Sequence, residues 1–96
     1  MYETGWGVFL LDVQVHESAL KHGLDADEVV RMWTEGTEET VIDDDEPPRY
    51  MRLAFDSAAR PWELAALSFG NGSRYLVIHA MPARRAVVAK MQRRSR

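Results

Sequence analysis

Two apolar runs that meet at Gly70-Asn71-Gly72 constrain this chain more than any other feature. Arg74 to Met81 (RYLVIHAM) is rich in β-branched and aromatic residues and is bounded by that turn and by Pro82. Trp62 to Phe69 mirrors it across the turn, although Glu63 to Leu67 (ELAAL) also has helical propensity. Glycine and asparagine tolerate the positive φ that tight connections demand, so the three residues predict a β-hairpin. Upstream, Arg49 to Phe55 (RYMRLAF) alternates Met51, Leu53 and Phe55 with Tyr50, Arg52 and Ala54. Asp56 to Pro61 (DSAARP) then has the chemistry of a turn. Three consecutive strands with short connections predict an antiparallel meander.

The first half adds one strand and two helices. Trp6 to Val15 (WGVFLLDVQV) reads as a strand. His16 to His22 (HESALKH) reads as a short helix stopped by Gly23. Asp25 and Glu28 form a capping box at the start of a second helix, whose stripe of Val29, Val30, Met32 and Trp33 ends near Gly36. Ala83 to Arg93 reads as a terminal helix. The class is therefore α+β: a small antiparallel sheet, made of the N-terminal strand and the three-strand meander, with its helices on one face and the other face free. Ninety-six residues make a single domain over 1–96.

Charge is divided along the chain. Residues 1–48 hold thirteen acidic side chains against Lys21 and Arg31, while residues 49–96 hold nine arginines and Lys90 against Asp56 and Glu63. The guanidinium fork of arginine suits phosphates, so the second half is fitted to meet a polyanion. The plainer reading is that acidic helices neutralise basic strands. With no cysteine, disulfides, thiolate metal sites and thiol nucleophiles are excluded. Neither a metal nor another cofactor is expected. No apolar run reaches the ~18–20 residues of a membrane span, and no basic stretch opens a secretory leader. A cytoplasmic location is the expectation.

Histidine is the residue most suited to proton transfer near neutral pH. His22 sits at a helix end that favours a cation. His16 opens the same helix, where a cation is less easily explained. His79 lies inside the strongest strand, on the face that simple alternation gives to Tyr75, Val77 and Met81. Arg84 and Arg85 open the last helix, the wrong end for cations unless a phosphate sits there. Arg49 and Arg52 flank Tyr50, a pattern able to follow a nucleic-acid backbone and stack a base. Trp6, Trp33 and Trp62 read as core. Asp43 to Glu46 reads as a solvated acidic loop.

Two blocks give this pattern a family likeness. Ser18 to Leu24 (SALKHGL), followed by Asp25 to Val29 (DADEV), resembles the opening of BrnT-like toxins, in what looks like their actinobacterial form. Arg60 to Leu64 (RPWEL), followed by Arg74 to Arg84 (RYLVIHAMPAR), is similar to that group's meander and final strand. Trp62 stands where leucine is usual, and Ala86-Val87 replaces a lysine and an aromatic residue. The resemblance implies a RelE-like fold and the toxin of a bacterial toxin–antitoxin pair, restrained by a cognate antitoxin protein. It also implies endoribonuclease activity on messenger RNA, free or ribosome-bound, without a metal. Carried over by position, the active residues are Lys21, His22, Arg60, His79 and Arg84.

Such cleavage needs a base for the 2′-OH proton, cations for the phosphorane charge and an acid for the leaving oxygen. His79 or His22 is the expected proton carrier, with Arg84, Arg60 and Lys21 as phosphate clamps. Arg49, Arg52, Arg74 and Arg85 are the expected RNA contacts. A non-catalytic RNA- or ribosome-binding module is the alternative, and a domain that associates through its oppositely charged halves is a third.

Overall fold

The computed structural model describes residues 12–36 and 38–94. Strand β1 (Asp12–Val15) is followed by a single 3-10 turn (Glu17–Leu20), helix α1 (Ala26–Glu35) and strand β2 (Glu38–Asp43). Strands β3 (Arg49–Phe55), β4 (Pro61–Phe69) and β5 (Arg74–Pro82) come next, then helix α2 (Arg85–Arg94). The sheet runs β1-β5-β4-β3-β2, with β1 parallel to β5 and every other pair antiparallel. The α+β class and the meander stand as expected. The strand count does not: four antiparallel strands and one parallel strand replace the expected four.

The added strand is β2, in a stretch the sequence reading left outside any element. Its central Thr40, Val41 and Ile42 favour extended backbone. Its carboxylates find cations across the ladder, with Glu39 3.0 Å from Arg52 and Asp43 3.7 Å from Arg49. Cross-strand pairing of this kind stabilises a sheet edge. Of the expected strand Trp6 to Val15, only Asp12–Val15 falls among the described residues; Trp6 lies outside them.

The expected helix over His16 to His22 shortens to one turn for a local reason. His16 Nδ1 accepts a hydrogen bond from the Ser18 amide at 3.1 Å, and the Ser18 hydroxyl donates to the Ile78 carbonyl at 2.6 Å. These bonds tie the turn to β5 instead of letting it continue as a helix. Gly23, at φ 101°, then reverses the chain. His16 is thus explained as a cap.

Helix α1 forms as its sequence dictates. Asp25 Oδ1 accepts from the Glu28 amide at 2.8 Å, and Glu28 Oε1 accepts from the Asp25 amide at 3.4 Å. Val29, Met32 and Trp33 are buried on its inner face with Trp62, Leu64, Ala66, Val77 and Ala80. The Trp33 ring lies 5.1 Å from Tyr75, and the Arg52 guanidinium stands 4.2 Å above the indole. Replacing Asp25 by alanine is expected to cost about 1 kcal/mol, read as a lower urea midpoint with an unchanged slope.

The helices do not share one face. Leu53 and Glu63 are directly paired and both fully buried, yet they point away from the core that α1 covers. Helix α2, which packs against β2 and buries Met91, lies on that second side. The face expected to be free is therefore half covered.

Candidate functional site

The uncovered half of the second face holds an unusual residue. Glu63 is the third residue of β4, a strand whose one other polar side chain is Ser68, and it is fully buried. A buried carboxylate persists only when paired, and Arg84 supplies the pairing. Its Nη2 donates to Glu63 Oε1 at 2.9 Å, while its Nε and its backbone amide both donate to Oε2 at 3.2 Å. Pro82 ends β5 one residue before Ala83, whose amide bonds back to the Pro61 carbonyl at 3.0 Å. That crossing fixes where Arg84 begins. Burial opposes ionisation of Glu63, but the Arg84 hydrogen bonds and charge, with help from His79, outweigh it and hold the carboxyl below its usual value. Hydrogen bonding to Glu63 raises Arg84 in turn.

His79 completes the cluster. Its Nε2 lies 3.5 Å from Glu63 Oε1, and its side chain is 38% exposed. Alternation alone would not place it there. The register shifts between Ala65 and Ala66, whose partners are His79 and Val77, so Ile78 is an extra residue in β5. This bulge leaves Tyr75 and Val77 on the α1 face and turns His79 and Met81 to the other. Of the face-mates that simple alternation gives His79, Met81 remains, while Tyr75 and Val77 lie on the opposite face.

Beside the cluster lies a cavity of ≈ 310 Å³. His79, Ala65 and Met51 form one row across β5, β4 and β3. A small alanine between two larger side chains leaves a notch about 10 Å wide, two strand spacings. Glu63 and Arg84 close one end and Arg49 lines the cavity as well.

No known protein family, curated protein or solved structure matches this chain. The site is therefore read from its own geometry. Among the described residues no three His, Cys, Asp or Glu side chains are gathered to hold a metal ion, and no helix is long and apolar enough to cross a membrane.

The structure divides the expected active residues among three places. His79 and Arg84 meet at the cavity. Lys21 and His22 occupy an exposed turn before α1 and do not line it. Arg60 belongs to the β3–β4 turn, where its Nε donates to Asp56 Oδ2 at 2.9 Å. Asp56 organises that turn: Oδ1 accepts from the Ala58 and Arg60 amides, and Oδ2 also accepts from Trp62 Nε1, each at 2.9 Å.

The expected RNA contacts are also dispersed. Arg52 points to the α1 face, donating to the Trp33 carbonyl at 2.7 Å and to Glu39. Arg49 points to the opposite face, so the two do not flank Tyr50 on one surface. Arg74 is exposed at the start of β5, 5.8 Å from the Phe69 ring. Arg85 is the exposed first residue of α2. Glu63 was not among the expected site residues, and its signal was a lone carboxylate inside PWELAALSF.

The two anchored carboxylates make stability sensitive to acid. The Arg60 amide, Trp62 indole and Ala58 amide hold Asp56 at about 2, against an ordinary value of 3.8, and burial only partly offsets them. A depressed acid stabilises the fold fully above its unfolded value and loses that contribution as pH falls through the folded one. Glu63 acts with the same sign. Unfolding free energy from urea titrations is expected to decline from about pH 3.8 to 2, and Asp56→Asn should flatten much of that decline. An unchanged slope in the variant would remove Asp56 from the account.

Proposed function

We propose that this chain is a metal-independent endoribonuclease, the toxin of a toxin–antitoxin pair, acting on messenger RNA by 2′-OH attack. The observation that supports it is His79 held between a buried carboxylate and an open cavity, with Arg84 at the same carboxylate. Below its usual value, Glu63 is an acceptor only at neutral pH. It therefore favours the imidazole tautomer with hydrogen on Nε2 and leaves the Nδ1 lone pair for a substrate proton. Glu63 is a positioning residue, because it is too buried to meet RNA itself.

In the proposed step His79 Nδ1 removes the 2′-OH proton and the 2′-oxygen attacks phosphorus. The bond to the 5′-oxygen breaks, that oxygen takes a proton from water, the His79 imidazolium returns its proton to the hydroxide so formed, and a 2′,3′-cyclic phosphate remains. Arg84 keeps Nη1 outside its bonds to Glu63, and that group would donate to phosphate oxygens whose charge grows in the transition state. The cognate antitoxin would restrain the enzyme, as the sequence resemblance implies.

One observation favours a second reading, a non-catalytic RNA- or ribosome-binding module. Arg84 already gives two side-chain nitrogens to Glu63, a structural use that needs no reaction.

Incubating the purified protein with mixed RNA in EDTA separates the two. Fragments ending in 2′,3′-cyclic phosphate are expected, with a loss of 10²-fold or more in His79→Ala, the scale of general-base catalysis. Equal cleavage by that variant, or intact RNA both in solution and on ribosomes, would overturn the catalytic reading.

A further inference from the structure

The cavity extends beyond the proton-transfer cluster to groups that the cleavage step does not use. Arg49 lines it with a side chain 44% exposed, and its Nε is 3.7 Å from Asp43 Oδ2. A contact of that length is an ion pair without a tight hydrogen bond, and Asp43 Oδ1 accepts only one long bond, from the Asp45 amide at 3.4 Å, so the Arg49 fork and the remaining lone pairs of Asp43 keep capacity for a ligand. Asp43 faces Arg49 across the β2–β3 ladder because Ile42 is an extra residue there, between the pairs Val41–Tyr50 and Asp43–Arg49. The same irregularity leaves Ile42 on the cavity wall. Met51, Ala65, Ile78 and Met81 make the remaining wall apolar. The space is thus a small, largely apolar slot with the Arg49 fork on its wall and the Asp43 carboxylate behind that fork, next to the lining residues.

Guanine has the complementary outline. Its O6 and N7 accept from an arginine fork, and its N1–H and N2 amino group, next along the same rim, donate to a carboxylate. Adenine reverses the pattern at both positions, placing an amino group where the guanidinium donates. Pyrimidines have no N7. The volume of ≈ 310 Å³ lies at the lower end of ligand pockets, about 300–1,000 Å³, the size class of one base with its sugar phosphate.

We propose that the Arg49–Asp43 pair, set at the border of this slot, reads guanine and makes it the preferred base beside the phosphate held at Arg84. The assignment of RNA as the natural source of that base rests on the reading under Proposed function, but nucleotide binding tests it directly. Titrating the protein with 3′-GMP and 3′-AMP, followed by amide and imidazole NMR signals, is expected to show at least tenfold tighter binding of 3′-GMP, with shifts at His79. A bidentate contact to guanine discriminates on that scale. Arg49→Lys keeps the charge but loses the fork, and should abolish the preference while leaving general phosphate affinity. Asp43→Asn should lower it independently.

Equal affinities, a preference that survives Arg49→Lys, binding away from His79, or no binding at millimolar nucleotide would each overturn the inference. Mapping cleavage ends separates its failure from that of the catalytic reading. RNA cut without regard to guanine would sink the inference alone. Selective 3′-GMP binding with intact RNA would sink the catalytic reading alone.

Discussion

Trp33→Ala is expected to lower the urea midpoint of this domain sharply. The indole is fully buried at the centre of the core, where α1 meets the sheet. Truncating a buried tryptophan to alanine costs about 3–5 kcal/mol through lost transfer energy and the cavity left behind. A chain of this size has a total stability of about 5–14 kcal/mol, so the loss removes a large part of it. Two further contacts depend on the same ring: Tyr75 at 5.1 Å and the Arg52 guanidinium at 4.2 Å. Trp33→Phe is the instructive control. It keeps an aromatic surface for both partners and deletes the Nε1–H, which has no hydrogen-bond partner among the described residues. The phenylalanine variant should therefore lose about 1–2 kcal/mol and remain folded. Urea denaturation followed by circular dichroism checks both, and an alanine variant within 1 kcal/mol of the wild type would mean that the core is not organised around this ring.

The second large effect is expected from Arg84→Met, and its pH dependence is more telling than its size. Without the guanidinium the buried Glu63 carboxylate loses its compensation, although the Arg84 side chain is 62% exposed and water can partly replace it. With the guanidinium gone, burial dominates Glu63 and pushes its carboxyl above the usual 4.5 instead of below it. A raised acid reverses the linkage, because the folded state then binds the proton more tightly than the unfolded state. The variant should gain stability as pH falls through the raised Glu63 value towards 4.5, a range in which the wild type gains none. Adding Glu63→Gln should restore most of the loss and abolish the reversal. A single variant that follows the wild-type profile would show that Arg84 does not govern the state of Glu63.

The meander was legible in the sequence because each of its signals acts locally. Gly70-Asn71-Gly72 demands a reversal, with Asn71 at φ 56° and both glycines at positive φ, and the alternation of Arg49 to Phe55 fixes a period of two. The capping box at Asp25 and Glu28 is equally local. Strand β2 escaped because its acidic ends resemble a solvated loop until Arg49 and Arg52 arrive from the next strand. The facing of His79 escaped because one extra residue, Ile78, changes the face of everything on its far side, and alternation carries no mark of where such a residue falls. Helix α2 was legible as a helix, but its choice of the second face depends on packing that periodicity does not encode.

Of the candidate site, His79 and Arg84 came from sequence motifs, while Glu63, which joins them, did not. ELAAL has helical propensity, and a glutamate in a helix is usually a surface residue. Once the segment is a strand paired on both sides, the same glutamate has no route to solvent. Its burial is what turns a histidine and an arginine into a cluster.

The strand order also sets a schedule for the chain as it is made. β1 lies on β5, pairing Asp12 with Arg74 and Val15 with Val77, so its partner is synthesised about sixty residues later. Among the described residues β2 is likewise an edge strand, and its one neighbour there, β3, is translated after it. Among the described residues, the emerging first half, which bears most of the negative charge, pairs neither of its strands within itself. Contacts this distant in sequence close late and slowly. A nascent chain paused before β5 would hold a capped helix and an unclosed sheet, and the cluster of Glu63, His79 and Arg84 would come into being only when the last hairpin leaves the ribosome.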